Sequence, residues 1–151
     1  NAQGYLRKVE DQKVLAVDWH DKKEALQYID ILKVDEAEME VLTGHTKVGD
    51  GAKLLSDWGV KEVVVTNGSM GSTIYHDGIL YNIPAFRPKV IVDATGCGDT
   101  YMGGYLYQRV NGKGIQESGE FAAAIACLKM ESPGPFRGTE QDVIQRLTKP
   151  F

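Results

Sequence analysis

The sequence predicts a layered α/β domain with a mostly parallel central sheet, and three observations carry that expectation. Short apolar runs at 14–17, 31–34 and 63–66 alternate with stretches of helical periodicity. The intervening helices are about ten residues long, which suits right-handed crossovers between parallel strands. Val63-Val64-Val65-Thr66 is β-branched throughout, as a buried strand requires.

Composition bounds the class further. The 151 residues are 42% hydrophobic and 25% charged, too apolar for a disordered chain. No apolar run approaches the ~18 residues of a membrane span, so no membrane partner is expected. The net charge of -4 comes with scattered Lys and Arg, which excludes a protein whose task is gripping nucleic-acid phosphates. Cys97 and Cys127 form no CxxC pair, and His20, His45 and His76 show no zinc spacing. Two unpaired thiols fit a reducing cytoplasm. The first residues carry neither an initiator Met nor a signal-peptide pattern, so the chain reads as cut from something longer.

In chain order, residues 14–17 predict a short strand, and 22–29 a helix through Ala25, Leu26 and Ile29. Residues 31–34 predict a strand, followed by an acidic helix over 35–42 that Gly44 ends. A helix over about 51–58 leads through Gly59 into the strand 63–66. Asp77-Gly78 between the runs 72–76 and 79–83 predicts a hairpin. An apolar strand over 89–92, parallel to 63–66, leads into a glycine turn. Helices follow over 99–110, 116–130 and 139–147, with Pro133 and Pro135 between the last two.

The most informative segment is Val92-Asp93-Ala94-Thr95-Gly96-Cys97-Gly98-Asp99, where a strand ends in a glycine turn that opens a helix. Gly96 and Gly98 free the backbone to aim successive N–H groups at one point, beside the positive end of the helix dipole. Such a turn either binds an anion or is one of the many plain strand-to-helix turns of α/β folds. Asp99 argues for the first, because a carboxylate beside an anion cradle suits proton removal from a hydroxyl. An N-cap role for Asp99 is the alternative. A Rossmann fingerprint fails because Tyr101 stands where its third glycine is needed, and Gly44-His45-Thr46-Lys47-Val48-Gly49 continues with Asp50 rather than as a Walker loop.

Asp93 to Asp99, with Gly103-Gly104 behind, resembles the C-terminal D-T-x-G-A-G-D signature of the ribokinase-like carbohydrate kinases, the PfkB family. Two further segments match in the same order. Lys33-Val34-Asp35-Glu36-Ala37-Glu38, with Leu42-Thr43-Gly44, is similar to that family's N-x-x-E motif and trailing L-T-G. Val65-Thr66-Asn67-Gly68-Ser69-Met70-Gly71 is similar to its T-x-G-x-x-G. Local features at 2–7, 18–19, 33–35 and 129–135 resemble bacterial and archaeal members related to myo-inositol kinase.

The resemblance implies the C-terminal, nucleotide-binding half of a ribokinase-like layered α/β kinase over residues 1–151, the lid and substrate half lying outside it. It implies ATP-dependent phosphorylation of a sugar or polyol hydroxyl, with Asp99 as base and the amides of Gly96, Cys97 and Gly98 as anion hole. Glu38 with Asp35 would position Mg²⁺, and Thr66, Gly68, Ser69 and Gly71 would line the nucleotide. Ala123, in the Ala-rich run 121–126, falls where adenine packs, though such a stripe also suits plain close packing.

Three departures qualify this. Asp35 replaces Asn, and Asp35 with Glu38 also forms a D-x-x-E capping-box pattern. Ala94 replaces Thr, which weakens the family's monovalent cation beside Asp93. Cys97 replaces Ala and sits at a helix start, where thiols can be reactive. The resemblance allows a homodimer, and it leaves a nucleoside kinase of the same fold and a silent nucleotide-binding pseudokinase as alternatives.

Overall fold

The run of β-branched residues at 63–65 forms the interior of a strand whose neighbours and cover explain most of the first half of the chain. The computed structural model describes residues 2–148. The elements are β1 (Arg7–Glu10), β2 (Lys13–Ala16), α1 (Lys22–Leu26), β3 (Ile31–Asp35), α2 (Glu36–Thr43), α3 (Val48–Asp57), β4 (Glu62–Thr66), β5 (Ser72–His76), β6 (Ile79–Ile83), α4 (Cys97–Val110), α5 (Ile115–Met130) and α6 (Glu140–Thr148). β3 and β4 pair in parallel, Leu32 opposite Val63 and Asp35 opposite Thr66. The four-stranded sheet runs β3-β4-β5-β6 and is mixed, since β5 and β6 are joined by the two-residue Asp77-Gly78 turn.

The chain divides into two compact units, residues 1–67 with 73–81 and residues 68–72 with 82–151. In the first, Leu32, Val34, Val63 and Val65 project from one face of the β3–β4 pair into a core with Leu26, Met39, Leu42, Ala52 and Leu55. Burial of each such aliphatic side chain contributes about 1.5–3 kcal/mol, so this core dominates the stability of the unit. Trp19 and Trp58 pack against it half-buried, Trp19 stacked on Tyr5 with ring centroids 4.5 Å apart. His20 and His45 are exposed, whereas His76 is half-buried, its Nδ1 2.9 Å from the Lys61 carbonyl.

In the second unit α4 lies against α5. A Cβ added to Gly104 would come within 2.6 Å of Ile125 Cγ2 and 3.4 Å of Ala122 Cα, while one added to Gly103 would meet nothing within 4 Å. Of the two glycines behind the signature, only Gly104 is there for close packing. Phe121, Ala124 and Val143 form the centre of the α5–α6 contact, with Phe86, Leu128 and Phe136 around them. Arg146 anchors α6, donating to the Arg87 carbonyl at 3.0 Å and to Glu131 Oε1 at 2.7 Å.

Several boundaries differ from the sequence reading. β2 pairs with β1 in a hairpin, Val9 opposite Val14, that the sequence did not announce. α1 ends at Leu26, three residues early, where the chain turns over through Tyr28 N to Ala25 O and Ile29 N to Leu26 O. α3 begins at Val48 and α4 at Cys97, earlier than expected. The predicted strand at 89–92 does not form. Among the described residues no strand pairs with it, Val90, Ile91 and Val92 are exposed, and the amides of Val92 and Asp93 donate to the Met130 carbonyl at the end of α5.

Candidate active site

The predicted site residues fall into two sets, one in each unit. In the first unit, Asp35 and Thr66 are cross-strand partners at the carboxyl ends of β3 and β4, the end of a parallel pair where α/β folds bind ligands. Asp35 caps α2. Its Oδ1 accepts from the Glu38 amide at 2.8 Å, and the Asp35 amide donates to Glu38 Oε2 at 2.9 Å, a complete capping box. Glu38 is only 5% exposed, and its other oxygen, Oε1, lies 3.7 Å from Arg7 Nη2. The capping reading of D-x-x-E is therefore correct, and it leaves Asp35 Oδ2 and Glu38 Oε1 outside the box. Thr66 Oγ1 approaches the Val34 carbonyl at 3.4 Å, and Asn67 Nδ2 donates to Glu36 Oε1 at 2.8 Å.

The hard oxygens left at Asp35 and Glu38 suit Mg²⁺, which keeps several waters and takes one or two carboxylates together with phosphate oxygens. Among the described residues no group of three His, Cys, Asp or Glu side chains converges, so the chain offers no all-protein cage. A water-mediated role is the one this donor set fits.

In the second unit, Gly68–Met70 forms a single 3₁₀ turn closed by the Gly71 amide on the Gly68 carbonyl at 3.2 Å. Ser69 is exposed. Gly71 has φ of +98°, and a Cβ there would collide with the Ile83 carbonyl oxygen, so close backbone approach fixes glycine at this position. The next residue, Ser72, shares a 2.7 Å hydrogen bond with Tyr101 Oη on α4, both side chains buried. Burial pushes the Tyr101 phenol up to about 12, and the Ser72 bond offsets only part of that. This bond ties the predicted nucleotide turn to the helix that follows the glycine signature.

That helix opens without a side-chain cap. Gly96 is its N-cap at φ +76°, a left-handed conformation natural to glycine, and it has no side chain with which to cap the helix. Cys97, Gly98 and Asp99 are the first three helical residues. Asp99 is thus in the first turn and exposed, not the N-cap that the alternative reading required. The Cys97 amide makes a long 3.3 Å bond to the Ala94 carbonyl, while Gly98, second in the helix, is among the amides that helix geometry leaves without an intrahelical acceptor. Burial pushes the Cys97 thiol up, with Lys129 pulling the other way.

Just before the turn, Lys129 of α5 reaches Asp93. Its side chain is 2% exposed, and Nζ donates to the Asp93 carbonyl at 2.8 Å and to Asp93 Oδ2 at 2.9 Å. Asp93 also accepts from the Thr95 amide at 2.9 Å and the Gly134 amide at 3.3 Å. Lys129, followed by the Thr95 and Gly134 amides, holds the Asp93 carboxyl far below the usual carboxylate range. Sequence reasoning passed over Lys129. In the structure it shares one helical face with Ala122 and Ala126, and all three are buried. Ala123 is half-buried, and its neighbours Ala122 and Ala124 serve packing.

Known proteins bear on this arrangement directly. The family model described as pfkB family carbohydrate kinase matches residues 4–142. A cytidine kinase of Thermococcus kodakarensis is 37% identical over 97 residues, 63% of this chain and 34% of that protein. A ribokinase of Arabidopsis thaliana is 34% identical over 117 residues, 74% of this chain and 31% of that protein. Among solved structures, a pyrophosphate-dependent kinase of the ribokinase family, complexed with a pyrophosphate analog and myo-inositol, superposes with a TM-score of 0.83 at 34% identity. That match covers 95% of this chain and 51% of the other. Arabidopsis thaliana ribokinase complexed with ribose and ATP gives 0.78 at 30% identity, covering 84% and 43%. The chain thus spans about a third to a half of the length of these relatives. With the glycine signature, the capped α2 start and the mixed sheet all inside the matched range, the chain belongs to the pfkB family of carbohydrate kinases.

Proposed function

We propose that the protein carrying this chain transfers a phosphoryl group from ATP to a hydroxyl of a small sugar or polyol, in the cytoplasm. The observation that carries the reading is the start of α4: a glycine N-cap at φ +76°, followed within one turn by the exposed carboxylate of Asp99. Gly96, not Asp99, holds the cap position, so the N-cap reading of Asp99 falls away. In the proposed reaction Asp99 accepts the proton of the attacking hydroxyl, while the amides of Gly96, Cys97 and Gly98 stabilise charge on the transferring group. Thr66, Gly68, Ser69 and Gly71 bind the donor, with Ala123 on the adenine side. Asp35 and Glu38 orient the waters of a Mg²⁺ ion, which supplies charge neutralisation on the phosphates when bound.

Two observations favour variants of this reading. The cytidine kinase at 37% identity keeps a nucleoside acceptor in play. The pyrophosphate-dependent kinase at a TM-score of 0.83 favours pyrophosphate as the donor, which would leave Ala123 without an adenine to face. The test crosses ATP and pyrophosphate against a panel of sugars, polyols and nucleosides, following acceptor-dependent donor cleavage in the protein that carries this chain. Turnover with ATP and a sugar or polyol supports the first reading. Donor binding without transfer to any acceptor would overturn it in favour of a silent nucleotide-binding protein.

A further inference from the structure

We infer that the Lys129 ammonium is the resident cation of the phosphate turn, so that no monovalent metal ion is needed beside Asp93. The family resemblance implied such an ion at this carboxylate, and the residues present do not fit one. Lys129 Nζ already lies 2.8 Å from the Asp93 carbonyl oxygen and 2.9 Å from Oδ2. The other carboxylate oxygen, Oδ1, accepts from Thr95 N, and Oδ2 also accepts from Gly134 N. Every oxygen of Asp93 therefore has an N–H donor on it. A metal ion entering here would have to displace those donors and stand against a buried ammonium of the same sign.

The ammonium suits the place for three reasons. It is a donor with three hydrogens and no acceptor, so carbonyl and carboxylate oxygens around it are all satisfied by one group. It is covalently part of α5, and the residue after it, Met130, receives the amides of Val92 and Asp93 through its carbonyl. Lys129 and Met130 together thus fix the backbone that leads through Thr95 into Gly96. Finally, the ammonium comes with the chain in fixed stoichiometry, one per phosphate turn, whereas an exchangeable ion would vary with the solution. Lys129 is on this account a positioning residue: it touches no reacting group and acts through Asp93 on the turn. Its effect on catalysis rests on the kinase reading above, while its effect on the turn does not.

The experiment compares the wild type and Lys129→Met in the protein that carries this chain, with choline chloride exchanged for potassium or ammonium chloride at constant ionic strength. In the wild type, phosphoryl transfer and thermal midpoint should be unchanged within about twofold in rate and about a degree in midpoint. In Lys129→Met, transfer in choline should fall by at least about tenfold, and potassium or ammonium should restore several-fold of it, a rescue that a merely structural lysine would not permit. A potassium requirement in the wild type overturns the inference, as does a folded Lys129→Met that is either fully active in choline or indifferent to the ions. Should the variant fail to fold, the wild-type amide resonances of Thr95 and Gly134 decide alone: they should stay still as potassium rises, and their movement overturns the inference. If no acceptor is phosphorylated at all, the kinase reading falls while the resonance titration still judges Lys129.

Discussion

The starts of α2 and α4 are both acidic, both lie in the family's motifs, and are built in opposite ways. At α2, Asp35 and Glu38 exchange two hydrogen bonds and close the helix end on itself. At α4, Gly96 holds the cap position with no side chain, and the acidic residue of the first turn is Asp99. The closed start is stable by its own chemistry. The open start depends on contacts from elsewhere: Lys129 and Met130 fix the backbone before it, and Tyr101 reaches Ser72 one turn into it. A helix that begins on a glycine, and is held in place from outside, is suited to receiving an anion.

The strongest way to break this contrast is Asp99→Asn in the protein that carries the chain. The substitution keeps shape but removes the base, and kcat should fall by about 10²–10⁴ with donor affinity nearly unchanged. Steady-state kinetics beside donor-binding titration would check it, and turnover within tenfold of wild type would leave Asp99 as a first-turn carboxylate that only stabilises the helix dipole.

The external support of α4 can be tested by alkaline titration. Tyr101 has its folded pKa raised to about 12, so the stability it contributes is full below the unfolded value near 10 and is lost as pH rises through 12. The loss over that window should be about 3 kcal/mol, and Tyr101→Phe should flatten it. Chemical unfolding at pH 9 to 11.5 measures the difference between the two proteins. An equal slope in both would show that Tyr101 does not anchor the helix.

Gly96→Ala should destabilise by about 1–2 kcal/mol, because alanine at φ +76° meets the left-handed penalty. Asp35→Ala should lose about 1 kcal/mol of cap energy at α2, leaving Glu38 without its partner. Denaturant midpoints would rank the two. A larger loss at Asp35 than at Gly96 would mean that the closed start carries more of the fold than the open one.

Both starts could be read in the sequence, and the reasons differ. D-x-x-E before an apolar helix specifies its own hydrogen bonds locally, so Asp35 and Glu38 were legible without tertiary knowledge. The Asp77-Gly78 hairpin and the buried run at 63–65 were legible for the same reason: turn chemistry and β-branching act over a few residues. What escaped depended on distant partners. Residues 89–92 have the composition of a strand, yet a strand also needs a neighbour, and among the described residues none pairs with them. The β1–β2 turn places Asp11 and Gln12 at φ +48° and +63° without a glycine to advertise it. Lys129 was hidden because a lysine is assumed to face water until its carboxylate is located. The role of Asp99 lay between these cases, since its spacing was plain but its exclusion from the cap emerged only with the geometry of Gly96.

The β1–β2 ribbon has a consequence measured in time. All eight of its residues are exposed, including Val9 at 74% and Val14 at 65%, and among the described residues it pairs with no other strand. A two-stranded ribbon without a covered face has little free energy of its own opposing separation. Its amides should therefore trade hydrogen for deuterium orders of magnitude faster than those of β3 and β4, whose apolar residues are almost wholly buried. In a single exchange record the ribbon would serve as the fast clock and the β3–β4 pair as the slow one, and a partner that settles on the ribbon would announce itself by stopping the fast clock alone.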